Sequence, residues 1–106
     1  MMQNRKLPPE FLLGAAEMIR ILGNGQRLQI LEYLDLHGES KVNDIVSALA
    51  APQGAISQHL NKMRLAGVLS CRRDRREVYY RIAEARAITI LNCLRKKFAE
   101  TENHGE

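Results

Sequence analysis

Apolar residues recur along the chain at two periods, and the switch between them marks its organisation. Phe11, Ala15, Met18 and Leu22 fall at i, i+4, i+7 and i+11, one face of an amphipathic helix led in by Pro8-Pro9. Gly23-Asn24-Gly25 ends that helix and offers Asn24 as the cap of a second, where Leu28, Leu31 and Leu34 form a stripe with Ile30 beside it. This second helix stops near His37-Gly38, and Ser40 is placed to cap a short third one holding Val42, Ile45, Val46 and Leu49. Ala50-Ala51-Pro52 makes a break, since Pro52 suits the start of a new helix and not the continuation of the last. In the fourth helix Ile56, Leu60 and Met63 point inward, and Gly67 closes it.

The period then changes to two. Residues 68–73 and 77–82 are rich in strand formers, and Val78, Tyr80 and Ile82 alternate with Tyr79 and Arg81 as in a half-buried hairpin strand. A last helix from about Glu84 carries Ala87, Leu91, Leu94 and Phe98 on one face. Two short helices joined by a tight turn and followed by a hairpin predict a mainly α fold of winged helix-turn-helix type. One domain over 1–106 is expected, with an N-terminal arm (1–8), terminal helices (9–22 and 84–100), a helix-turn-helix (41–66), a wing (68–82) and a polar tail (101–106) that frays.

Composition narrows the setting. No stretch approaches the roughly 20 apolar residues of a membrane span, so no membrane partner is expected. The polar start, followed by an apolar run broken at Pro8, Pro9 and Glu10, does not read as a secretory leader. Cys71 and Cys93 form neither a disulfide framework nor a metal cluster, which fits a reduced, cytoplasmic protein without a cofactor. The net charge of +4 is unevenly placed. Residues 53–81 hold Lys62, Arg64, Arg72, Arg73, Arg75, Arg76 and Arg81 against only Asp74 and Glu77. Such a segment points to a polyanion, although a solvated charged face has the same composition.

The inward stripe of the fourth helix leaves Gln53, Gly54, Ser57, Gln58, Asn61, Lys62 and Arg64 facing outward. Glutamine pairs in two places with adenine, serine serves base edges or phosphate, and Lys62 suits the DNA backbone. Gly54 would let the main chain approach closely, and the helix N-terminus favours a phosphate. Arg72, Arg73, Arg75 and Arg76 place four guanidinium groups within five positions at the hairpin tip, a costly crowding that phosphates would relieve. His59, beside Leu60, is either a helper joining helix to phosphate or a base reader.

The run from Gln53 to Leu69, with Ser57-Gln58-His59-Leu60 at its centre, resembles the recognition region of ArsR/SmtB-type repressors. Arg27-Leu28-Gln29-Ile30-Leu31, the arginine-rich hairpin and Val78-Tyr79-Tyr80-Arg81-Ile82 are similar to that family too, so the likeness spans about residues 11–98. It implies three helices, a recognition helix, two strands and a final helix, in a homodimer that represses by binding an imperfect palindrome in double-stranded DNA. The terminal stripes Phe11/Ala15/Met18/Leu22 and Ala87/Leu91/Leu94/Phe98 are the expected dimer interface; the alternative is that they complete the monomer core.

Departures from the family pattern matter as much. Where many relatives carry a metal-binding Cys-x-Cys, this chain reads Ser40-Lys41-Val42-Asn43-Asp44, and no Asp/His ligand spacing follows Glu84. His37, His59 and His104 are scattered, whereas a site needs three or four converging ligands, so no metal is expected. Some relatives respond to oxidants through cysteines on the second and last helices; here the second helix has none, leaving Cys71 and Cys93 as the thiols of an alternative, redox-responsive repressor. The wing turn lacks the glycine that relatives often carry. A winged-helix protein-interaction module is a further alternative. An enzyme is not expected, because paired carboxylates, a nucleophile with its base and a phosphate-cradling glycine loop are all missing.

Overall fold

The computed structural model describes residues 5–104, with side chains through residue 102. Among them the order is α1 (Pro9–Leu22), α2 (Gly25–His37), β1 (Ser40–Lys41), α3 (Val42–Leu49), α4 (Gln53–Leu65), β2 (Leu69–Asp74), β3 (Glu77–Ile82) and α5 (Ala85–His104). This is the mainly helical, winged helix-turn-helix class that the periodicities predict. Residues 1–4 of the expected arm lie outside the described residues; Arg5 to Pro8 are exposed and irregular.

Two elements differ from expectation. Ser40 does not cap α3: with Lys41 it forms β1, paired antiparallel to β3 through Ser40↔Tyr80 and Lys41↔Tyr79. Gly38 makes this possible at φ 78, and the Ser40 hydroxyl donates to the Gly38 carbonyl at 2.8 Å instead of to the helix. The sheet therefore has three strands in the order β1-β3-β2. The last helix runs to His104, through residues expected to fray, and the Thr101 hydroxyl donates to the Lys97 carbonyl within it. No glycine or proline interrupts the sequence from Ala85 to His104, so nothing in the backbone stops the helix earlier.

The helix ends are set locally. Asn24 caps α2, its side-chain oxygen accepting from the Gln26 and Arg27 amides at 3.0 and 3.1 Å. At the end of α4, Gly67 takes φ 84 and its amide donates to the Arg64 carbonyl, while the Val68 amide reaches back to Met63 at 2.9 Å. That pair of bonds is a Schellman closure, and the accompanying apolar contact joins Met63 and Val68, both 0% exposed. It turns the chain from the recognition helix directly into the first wing strand. Between α3 and α4 the left-handed position is Ala50 (φ 52), where a side chain costs about 1 kcal/mol.

One core joins all five helices and the root of the wing: Ile21 and Met18 from α1, Ile30, Leu31 and Leu34 from α2, Ile45 from α3, Ile56, Leu60 and Met63 from α4, Val68 and Leu69, and Ala87 and Leu91 from α5. The terminal stripes divide here. Met18, Leu22, Ala87 and Leu91 are buried within the single chain, so their assignment to a dimer interface is corrected: they belong to the monomer core. Phe11, Leu94 and Phe98 remain 55%, 48% and 65% exposed, with Ala15 half-buried beside them. Only the inner halves of the terminal helices reach the core, because the molecule is extended. Its radius of gyration is 16.0 Å, against about 13 Å for a compact chain of this length. No helix among the described residues is long and apolar enough to cross a membrane.

A Cβ placed on Gly67 meets nothing within 4 Å, so the cost of Gly67→Ala is that of the left-handed backbone alone. We expect a loss of about 1 kcal/mol, read from denaturant midpoints at fixed protein concentration. An unchanged midpoint would show that the turn into the wing does not depend on this geometry.

Candidate nucleic-acid interface

α4 is enclosed on one side and open on the other. Ile56, Leu60 and Met63 are 0% exposed. Gln53, Gly54, Ser57, Gln58, Asn61, Lys62 and Arg64 all lie in the exposed class, as the periodicity predicts. Gly54 faces open space with an ordinary φ, so neither packing nor backbone strain requires a glycine there. Pro52 provides no side-chain cap and the first turn holds no acid, which leaves the first-turn amides of α4 without a side-chain acceptor. Asn61 is occupied within the helix, accepting from the Arg64 guanidinium at 2.7 Å.

The exposed face of α4 borders two grooves. On one side Gln53 and Ser57 share a hollow of about 220 Å³ with Asn43 of α3 and with Arg76, Glu77 and Val78 of the wing. On the other, Gln58, Asn61 and Lys62 face Glu17 and Arg20 of α1 across a cleft of about 600 Å³. Tertiary packing thus brings the start of α4 together with the wing, and its later turns together with α1. Arg20, next to Lys62, has no helical or strand period tying it to α4, and no sequence signal marked it.

His59 is neither a base reader nor free to reach a phosphate. It is half-buried, and its Nδ1 accepts a hydrogen bond from the Arg27 Nε at 3.2 Å. Arg27 in turn donates to the Ile21 carbonyl at 2.7 Å. The histidine therefore ties α4 to α2 and, through Arg27, to the end of α1. Burial pushes its pKa below the ordinary value, and the neighbouring Arg27 and Lys62 charges push it the same way.

The four wing arginines do not share one environment. Arg75 and Arg76 form the two-residue loop between paired Asp74 and Glu77, and Arg75 takes the left-handed φ of 61 where relatives would carry glycine. Among the described residues no ion pair engages Arg73, Arg75 or Arg76, and Lys62 is likewise unengaged. Arg72 is different. Its Nε and Nη2 donate to both carboxylate oxygens of Glu39 at 3.0 and 2.9 Å, and its guanidinium lies over the Tyr79 ring. The placement of Arg72 at the tip is corrected: it sits inside the sheet, bound to a carboxylate beyond reach of any local sequence pattern. Glu39 was not anticipated. Cys71 (on β2 opposite Tyr80) and Cys93 (on α5) are exposed free thiols. Among the described residues no three or more His, Cys, Asp or Glu converge into a possible metal site.

The direction of the His59 shift sets a pH dependence. Folding favours the neutral ring, so the stability His59 contributes is complete above its ordinary value of 6.5 and is lost as pH falls through the lowered folded value. We expect His59→Gln to flatten this acid limb in denaturant midpoints measured against pH. A His59 ring that titrates above 6.5 in an NMR titration would contradict the geometry.

Residues 24–70 match the family described as bacterial regulatory protein, arsR family. The chain is 39% identical over 77 residues to the HTH-type transcriptional repressor SmtB of Mycobacterium tuberculosis, covering 73% of this chain and 56% of SmtB. It thus spans little more than half the length of that relative. The transcriptional repressor PagR of Bacillus anthracis is 35% identical over 79 residues, 74% of this chain and 79% of PagR. PagR's crystal structure superposes with a TM-score of 0.74 over 82% of this chain and 99% of its own. A homodimeric winged helix-turn-helix DNA-binding domain from Mycobacterium bovis superposes with a TM-score of 0.73 at 28% identity, over 94% and 92% of the two chains. The chain belongs to the ArsR/SmtB family of winged helix-turn-helix transcriptional regulators.

Proposed function

We propose that this chain is a DNA-binding repressor that acts as a homodimer on a palindromic operator and has no metal trigger. The observation that carries the reading is the exposed face of α4, opposite a fully buried stripe and joined to the wing around one groove. In it Gln53, Ser57 and Gln58 read base edges, while Gly54, Asn61, Lys62 and Arg64 serve the DNA backbone. Arg73, Arg75 and Arg76 neutralise phosphates from the wing. SmtB and PagR are named repressors, which supports occupation of a promoter as the mode of action.

The dimer rests on the apolar surface that the monomer leaves open. Phe11, Ala15, Ile19, Ile90, Cys93 and Leu94 line a groove of about 450 Å³ between α1 and α5. Leu12, Leu13 and Phe98 extend the exposed apolar surface of these two helices. A two-fold pairing there presents two copies of α4 to one duplex, and successive major grooves about 34–36 Å apart then demand a palindrome. The Mycobacterium bovis neighbour is a homodimer, in keeping with this. The residues at 40–44 and those after Glu84 support a signal other than a metal.

Three results test the proposal. Replacing Gln53, Ser57 and Gln58 by alanine abolishes preference among duplexes selected from a random pool, with general affinity retained. Arg75→Ala with Arg76→Ala weakens binding to every duplex and lowers the salt slope by about 2, at roughly 0.9 per lost phosphate contact. Phe11→Ser with Phe98→Ser shifts sedimentation from dimer toward monomer. Duplex binding unaffected by the first two sets sinks the DNA-binding reading, and a wild-type monomer sinks the dimer.

A further inference from the structure

We propose that Arg72 is the positioning residue of the wing and Glu39 its anchor, the pair setting the angle at which Arg73, Arg75 and Arg76 meet a duplex. The proposal rests on the DNA-binding reading above.

The wing needs such an anchor. From Cys71 to Glu77 every residue is exposed, so the outer hairpin has no core contact to hold it. Its other tie to the body is the two-residue pairing of β1 with β3. Glu39 directly precedes β1, and Arg72 lies on β2, at the far edge of the three-stranded sheet. Their bidentate bond therefore crosses the central strand β3, with the Tyr79 ring 4.4 Å beneath the guanidinium carbon and Asp74 Oδ2 3.8 Å from Nη1. Tyr79 is also the β3 residue that pairs with both Arg72 and Lys41. One guanidinium thus links all three strands where the hairpin leaves the body. The Arg72 charge also holds the Glu39 carboxyl below the usual carboxylate range.

An ordinary exposed ion pair does little, but a bidentate pair stacked on a ring is geometrically specific, since the flat fork fits the carboxylate in one orientation. Because Arg72 is already neutralised within the chain, its charge releases no counterions when DNA binds. Its influence on affinity passes through the three unengaged arginines beyond it.

The test uses the full chain and a mixed-sequence DNA duplex, with Glu39→Gln, Arg72→Gln and the double variant. Each single variant is expected to lower affinity about fivefold, near the upper end for an exposed pair, and the double to be no worse than either. Arg72→Gln keeps the wild-type salt slope. The proposal is overturned if Arg72→Gln lowers that slope by about 0.9 while Glu39→Gln tightens binding, because Arg72 is then itself a phosphate contact. It is equally overturned if Glu39→Gln leaves affinity unchanged.

A DNA-free measurement separates this from the reading on which it rests. Spin labels at Arg76→Cys and Glu32→Cys are placed in a Cys71→Ser, Cys93→Ser chain diluted with unlabelled protein. They give a narrow distance distribution that broadens with Glu39→Gln or Arg72→Gln. A distribution unchanged by either substitution overturns the anchor. A wild-type chain without salt-dependent duplex binding overturns instead the DNA-binding reading, while the label distances still decide whether the pair holds the wing.

Discussion

The stripe Ile56, Leu60 and Met63 holds α4 into the core, and the geometry of the rest follows from that enclosure. Burying each such side chain is worth about 1.5–3 kcal/mol, so rotating the helix to present another face would forfeit several kcal/mol and bury Gln, Lys or Arg in their place. The orientation of the polar face is therefore imposed by the apolar one. The same enclosure reaches the wing, because the Schellman closure at Gly67 packs Val68 on Met63 and starts β2 from a buried point. Recognition helix and wing are in this sense one rigid unit at their junction, and the hairpin gains freedom only with distance from it.

Charge is distributed by what each group meets in the fold. Arg27, on a half-buried face of α2, is spent on His59 and the Ile21 carbonyl; Arg72 is spent on Glu39; Arg95 of α5 reaches Asp35 of α2 at 2.8 Å. These three arginines hold elements together. Arg73, Arg75, Arg76 and Lys62, without such carboxylate partners among the described residues, remain as an uncompensated positive surface beside α4. The basic segment is real as a composition, but only part of it is available to a polyanion.

Long periodic elements were legible. The inward stripe of α4 and its exposed face, the capping of α2 by Asn24 and the hairpin with its turn at Arg75-Arg76 all follow from spacing and local chemistry. Local chemistry also misled at Ser40, where the cap was outcompeted by pairing with β3, forty residues away in the chain. Two residues of strand show no period, and tertiary pairing overrides an intrinsic capping preference when both are available to the same hydroxyl-bearing residue. His59 and Arg72 failed to declare their roles for a related reason. Their partners Arg27 and Glu39 lie 32 and 33 residues away, beyond any helical or strand repeat.

By itself the sequence determined the fold class, the inward and outward faces of α4, and the presence of an arginine-rich hairpin after it. Those features depend on spacing within one element, and burial of apolar groups reads that spacing directly. The tertiary structure decided which arginines are free, that His59 is an internal tie, and how much of the terminal stripes the monomer keeps. Met18, Leu22, Ala87 and Leu91 are enclosed while Phe11, Leu94 and Phe98 are not, although all follow the same helical period. Period reports the face a residue occupies; whether another element covers that face depends on how far the packed helices reach, and that is settled only when the chain is folded.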